Sequence, residues 1–243
     1  MRYINLKELL KKRNRWGNSA ELWKNKTLKS DFREYFFGKC WYSETTLMGQ
    51  DVNIDHFRPK ARVKQYKKYK YNEPLKDSGY HWLKNSPENY RACCVVSNRI
   101  TDGGGKGNYF PLKENSPYLT EGGNEDEQTL LLDPCVQEDV NKITFMGNKV
   151  ISASNNDEDK ERVKVTEKIY NLSSAYIMPY RANVWANVAR ILKELETNPT
   201  NETYLLRELQ DAVSKNAPFS ACAIACVNSL ASDYIKEKLD LTL

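Results

Sequence analysis

A chain of 243 residues that is 40% hydrophobic and 28% charged can bury a sizeable core and reads as a globular protein. No run approaches the roughly 18 apolar residues of a membrane span. "MRYINLKELLKKRNRW" carries charges where an export signal needs an apolar segment, so no membrane partner and a cytoplasmic location are expected. The net charge of +5 hides an asymmetry: residues 1–100 hold 22 Lys/Arg against 10 Asp/Glu, and residues 101–243 hold 15 against 22. A basic front half suits a polyanion, or a lysine-rich solvated surface. Six cysteines in a reducing compartment pack, bind metal or react more often than they pair.

In chain order, Leu6, Leu9, Leu10, Trp16, Leu22 and Trp23 recur at near-helical spacing, broken at Gly17 and Asn18. They predict two short helices. A third is expected over 31–37, capped by Asp31 and closed by Gly38. "VNIDHF" alternates apolar and polar residues and predicts a strand; "ENYRACCVV" predicts another, with a helix starting after Ser97 until "DGGGKGN" breaks it. Between the two strands lies "RPKARVKQYKKYKYNEPLKDSGYHW", expected as a long basic loop. "YFPL" and "LLLDPC" read as short extended pieces, and "KITFMGNKVI" as a hairpin about Gly147 and Asn148. From Asp157 on, "DEDKERVKVTEKIYNL", "SSAYIMPYRANVWANVARILKELE", "NETYLLRELQDAVSKN" and "PFSACAIACVNSLASDYIKEKL" read as a helical bundle.

His56 is one of only two histidines; beside Asp55 it is either a satisfied core residue or a working base. His81 is expected to pack on Trp82. Seven cations fall within the thirteen residues Arg58 to Lys70. Arg58, Lys60, Arg62, Lys64, Lys67 and Lys68 are among them, interleaved with Tyr66 and Tyr69. Cations for phosphates beside rings for bases suit nucleic acid, and a solvated basic loop is the alternative. "DGGGKGN" lacks the Ser/Thr of a Walker loop and reads as a flexible loop with Lys106 as a phosphate contact. Cys222 and Cys226 sit four apart on an apolar helix and read as core.

The order Cys40-x-x-Ser43, Asp55-His56, Asn89, Cys94-x-x-Ser97, Asn98 resembles the HNH, or ββα-metal, nucleases. With "HFRPK", "YHWLKNSPENYRACCVVSNRI" and "YFPL", it resembles more narrowly the PtuB-like HNH proteins of Septu and retron-associated anti-phage systems, over roughly residues 2–235. The resemblance implies an α+β fold: an HNH core at 40–150, preceded by a helical segment at 1–39 and followed by a helical bundle at 151–243. It implies a metal-dependent endonuclease acting on DNA or on RNA such as tRNA. His56 would be the general base, Asn89 its orienting partner, and Asp55 and Asn98 ligands of Mg²⁺ or another divalent metal. A PtuA-like ATPase, and in retron systems a reverse transcriptase with its msDNA, would be partners. The alternative is a degenerate HNH module that binds nucleic acid or scaffolds the ATPase.

Asp55 and His56 are neighbours on a strand and point to opposite faces, so sharing one site demands a bulge or a twist. The chain departs from the family at its knuckles. Each CxxC pair has serine in place of its second thiolate, and two thiolates do not complete a structural zinc shell. A zinc-free fold with hydrogen-bonded Ser43 and Ser97 is expected, unless Cys93 or Cys135 compensates.

Overall fold

The computed structural model describes residues 1–65, 78–100, 104–197 and 199–241. Its N-terminal segment, to Tyr35, is helical. Helix α1 (Leu6–Leu10) leads through 3₁₀ turns at Arg13–Arg15 and Leu22–Lys24 into α2 (Lys26–Tyr35). Asn25, not Asp31, caps α2: its Oδ1 accepts the Leu28 N–H at 2.9 Å. Asp31 instead lies inside the helix, buried on the face it shares with Leu28 and Phe32. There it accepts the Trp16 indole N–H at 2.8 Å and lies 3.4 Å from the Lys12 ammonium and 3.3 Å from the Arg15 guanidinium. The helix ends at Tyr35, short of the expected Phe37, and Phe37 at φ +54° turns the chain so that the Gly38 N–H returns to the Arg33 carbonyl at 2.9 Å.

Strands β1 (Asn53–His56) and β2 (Tyr90–Cys93) form an antiparallel ribbon in unbroken register, Asn53 opposite Cys93 and His56 opposite Tyr90. One helical turn, α3 (Val95–Asn98), follows β2 at once, starting two residues before Ser97 rather than after it. The "CWYS" turn joins the ribbon through Trp41, whose N–H donates to the Ala92 carbonyl at 2.9 Å. Trp41 also stacks on Phe32 of α2, ring centroids 5.3 Å apart. The N-terminal helices therefore share one apolar core with the ribbon: Leu9, Trp16, Phe32, Trp41 and Tyr90 belong to the same cluster.

A short helix, α4 (Gln137–Val140), precedes the hairpin of β3 (Ile143–Met146) and β4 (Lys149–Ser152), which turns at Gly147 with φ +62°. Helices α5 (Asp157–Ile169), α6 (Met178–Thr197), α7 (Glu202–Val213), α8 (Ser220–Leu230) and α9 (Asp233–Lys238) follow. β3 packs on α8 and β4 on α5. The boundary expected at 150/151 thus falls inside β4, and the hairpin packs with the helices that follow it. The final segment is two helices, because the backbone turns extended at Ala231. Val188, Ile191, Leu205, Leu209, Val227 and Ile235 build a second core inside the bundle.

Buried polar contacts tie the bundle to the turn that precedes the ribbon. Glu44 accepts from Ser220 Oγ at 3.0 Å and from the Ala221 N–H at 3.2 Å. The Lys39 ammonium donates to the Lys215 and Ala217 carbonyls at 2.7 and 2.8 Å. Among the described residues no helix is long and apolar enough to cross a membrane.

Candidate active site

His56 ends β1 and is buried, 8% exposed, between Trp23 and Tyr90, which both meet its ring edge-on with centroids 5.1 Å away. Its Nε2 lies 2.9 Å from the Lys84 carbonyl. A carbonyl only accepts, so Nε2 carries the proton and Nδ1 is the basic nitrogen. The Tyr90 hydroxyl donates to the same carbonyl at 2.5 Å and fixes it. Burial pushes the His56 pKa down to about 4, with Lys60 and Lys106 adding to the shift and Lys84 and Asp55 opposing it. The imidazole is therefore neutral at pH 7.

Asn89 does not touch that ring. Its Oδ1 accepts the Arg58 N–H and its Nδ2 donates to the Arg58 carbonyl, both at 2.8 Å, while its own carbonyl accepts from the Phe57 N–H at 2.8 Å. The Asn89 amide clamps the backbone leaving β1, and the carbonyl of Lys84 holds the imidazole.

The side chain of Asp55 is engaged on both oxygens. Oδ1 accepts from the Lys106 ammonium at 2.8 Å, and Oδ2 from the Tyr42 hydroxyl at 2.7 Å. Tyr42 is held in turn by stacking on Tyr170 of α5's end, centroids 3.7 Å apart. Strand alternation holds without a bulge, since Asp55 and His56 have separate sets of partners. Both nonetheless border one open cavity of about 470 Å³, together with Asn98 of α3.

Three cations, Lys60, Lys64 and Arg99, line the same cavity. The Lys60 ammonium sits 3.5 Å over the Trp23 ring and that of Lys64 is 5.8 Å from the Tyr109 ring. Burial, then the nearby Lys24, lowers the Lys60 pKa against the pull of Glu21. Arg58 is turned away: its Nε donates to Glu127 at 2.6 Å, and Glu127 also accepts from the Tyr80 hydroxyl. Arg62 is exposed, and Lys67 and Lys68 lie outside the described residues. His81 is exposed and edge-on to Trp82, centroids 5.2 Å apart.

Lys106 is not a surface phosphate contact, which corrects the sequence reading. Its side chain has no exposure, and its ammonium donates to Asp55 and, at 2.6 Å, to the His56 carbonyl. The "GGGKG" loop turns it inward. A Cβ on Gly105, at φ +112°, would lie 1.8 Å from the Arg99 carbonyl oxygen, so only glycine permits the approach.

The four knuckle positions converge. Cys40 Sγ lies 3.9 Å from Ser97 Oγ, Cys94 Sγ lies 3.8 Å from Ser43 Oγ and 3.4 Å from Ser97 Oγ, and Ser43 also bonds Thr45. Sulfurs around a tetrahedral zinc sit about 3.8 Å apart, given Zn–S bonds of about 2.3 Å. The spacing of a zinc knuckle is therefore kept by two thiols and two hydroxyls. Burial pushes the Cys40 thiol up, whereas hydrogen bonds from Cys40, Ser97 and Ser43 pull Cys94 down. Cys93 faces the Asn53 carbonyl at 3.5 Å, and Cys135 donates its N–H to Asp133.

Sequence reasoning missed Tyr42, Lys84, Trp23 and Arg99. Tyr42 lies within the quoted "CWYS" and Lys84 within "YHWLKNSPEN", but a backbone carbonyl that holds an imidazole leaves no signature in residue type.

No family model matches the chain. Septu protein PtuB of Bacillus mycoides (strain KBAB4) is 26% identical over 247 residues, covering 91% of this chain and 79% of that protein. Septu protein PtuA of the same strain is 24% identical over 187 residues, covering 75% of this chain but only 24% of PtuA, so the likeness is to one segment of it. The near-full-length match identifies this chain as PtuB-like, a homologue of Septu protein PtuB.

Proposed function

We propose that this protein is an HNH endonuclease that hydrolyses phosphodiester bonds in DNA or in RNA such as tRNA, as an effector of Septu- or retron-type anti-phage defence. The observation that carries the reading is His56: a neutral imidazole, fixed through Nε2, in a cavity lined by Lys60, Lys64 and Arg99. Those cations receive the phosphate and offset the charge that builds on its oxygens. His56 Nδ1 takes the proton of the water as its oxygen bonds phosphorus and the P–O bond to the leaving sugar oxygen breaks; that oxygen takes a proton from solvent, and the Lys84 carbonyl steadies the imidazolium. A phosphate drawn into the cavity favours the charged imidazole and raises its pKa from the low resting value.

A divalent metal in this family supplies Lewis-acid charge at the phosphate. The donors as arranged do not fit one: both Asp55 oxygens are engaged, one by a buried ammonium, and Asn98 is neutral. Among the described residues no three His, Cys, Asp or Glu converge on one point. The steps above therefore use only the chain's own groups.

The likeness to PtuB, and to a segment of PtuA, supports a PtuA-like partner; a retron reverse transcriptase and its msDNA are the further partners proposed. One observation favours a second reading, a non-cutting module that binds nucleic acid or scaffolds the ATPase: the expected metal ligand Asp55 is neutralised by Lys106. Incubation with plasmid DNA and with total tRNA, in Mg²⁺ and in EDTA, with and without a PtuA-like ATPase, separates the two. Cleavage of either substrate is expected; binding without cleavage under every condition would favour the scaffold.

A further inference from the structure

The sequence places one lysine among glycines, and the fold spends that freedom on burying its charge. Lys106 has no side-chain exposure and makes its ion pair with Asp55, which is 3% exposed, at 2.8 Å. A lysine is buried this way only when its ammonium is paired and hydrogen-bonded, and the His56 carbonyl supplies a second acceptor at 2.6 Å. The backbone delivers it: the Lys106 N–H donates to the Ser97 carbonyl at 2.9 Å and the Gly107 N–H to the Asn98 carbonyl at 2.7 Å. One loop is thereby stitched to the turn that carries Asn98 and presents its ammonium to Asp55. Among the described residues, the other charged side chains that line the cavity are Lys60, Lys64 and Arg99.

We propose that Lys106 is the resident counter-cation of the site, a positioning residue that holds Asp55 in place, and that a divalent cation gains Asp55 only by displacing the Lys106 ammonium. The proposal deepens the nuclease reading and takes its interest from it. Two consequences follow from charge alone. Without nucleic acid a divalent cation meets a carboxylate whose charge Lys106 already cancels, so affinity is weak. A bound phosphate supplies the negative charge that Lys106 has cancelled, so metal and nucleic acid bind cooperatively.

The test reads metal binding, not cleavage, so its failure is distinct from failure of the nuclease assignment. Free Mn²⁺ is titrated by electron paramagnetic resonance against wild type, Lys106→Gln, Lys106→Arg and Lys106→Gln/Asp55→Asn. Lys106→Gln is expected to bind Mn²⁺ at least about tenfold more tightly than wild type, since removing a charge next to the ion outweighs that factor at a protein-like dielectric. Lys106→Arg should stay weak, and the double variant should lose the gain. Equal affinity in wild type and Lys106→Gln, or binding by neither, overturns the proposal. Amine labelling of the wild type tests it without a variant. Lys106 should be protected in the absence of metal and become reactive in saturating Mn²⁺; metal bound with the protection unchanged overturns it.

Discussion

Asn89→Ala deletes a side chain that makes two hydrogen bonds to one residue, accepting from the Arg58 N–H and donating to its carbonyl, both at 2.8 Å. Asn89 is 6% exposed, so water replaces it poorly. A buried backbone group left unpaired costs about 1–3 kcal/mol. Two such groups, partly rewetted at the half-buried Arg58, give about 3 kcal/mol. For a chain of this size that lowers Tm by about 6–12 °C. The clamp also fixes the path from His56 to Lys60, so the cleavage rate should fall. Because Asn89 does not contact the imidazole, the apparent pKa of the pH–rate profile should stay in place. Urea unfolding and the pH–rate profile of wild type and variant measure both effects. A loss below about 1 kcal/mol, or a profile displaced along the pH axis, would refute the clamp and restore Asn89 as a partner of the His56 ring.

Two other predictions concern the knuckles and a buried lysine. Ser43→Cys/Ser97→Cys completes a four-thiolate set at the observed spacing and should take up one zinc per chain by elemental analysis; a zinc-free double variant would mean that the turns no longer keep knuckle geometry. Burial, opposed by Glu44 and aided by Arg2, lowers the Lys39 pKa from its ordinary 10.5 to about 8. Between those values the unfolded chain binds more protons than the native one, so unfolding free energy rises with pH there. The fully buried charge costs about 3 kcal/mol below pH 8, a cost relieved as pH climbs toward 10. Denaturant unfolding should therefore show wild type gaining on Lys39→Met across that range; parallel profiles would contradict it.

Local pattern made much of the fold legible. The alternation of "VNIDHF", the Gly147 turn and the stripes of α5 to α7 are set by neighbours in sequence, and the elements formed where they were read. Asp31 misled because a short carboxylate near a helix start looks like a cap. Its partners, the Trp16 indole and the Lys12 and Arg15 side chains, come from outside the helix and hold it in the interior. Lys106 misled for a related reason: glycines signal backbone freedom, but not that the freedom serves to bring a charge inside. The four knuckle positions converge, Cys40 and Cys94 beside Ser97 and Cys94 beside Ser43. For His56 the sequence marked the residue and the resemblance offered Asn89 as its partner; the ring bonds the carbonyl of Lys84.

The central claim is that His56 is the base of a phosphodiester hydrolysis, and the most direct measurement is the single-turnover cleavage rate of His56→Ala beside wild type, with substrate binding measured on the same samples. The rate of His56→Ala is expected to fall about 10²–10⁴-fold with binding retained. Cleavage by His56→Ala at the wild-type rate would contradict it.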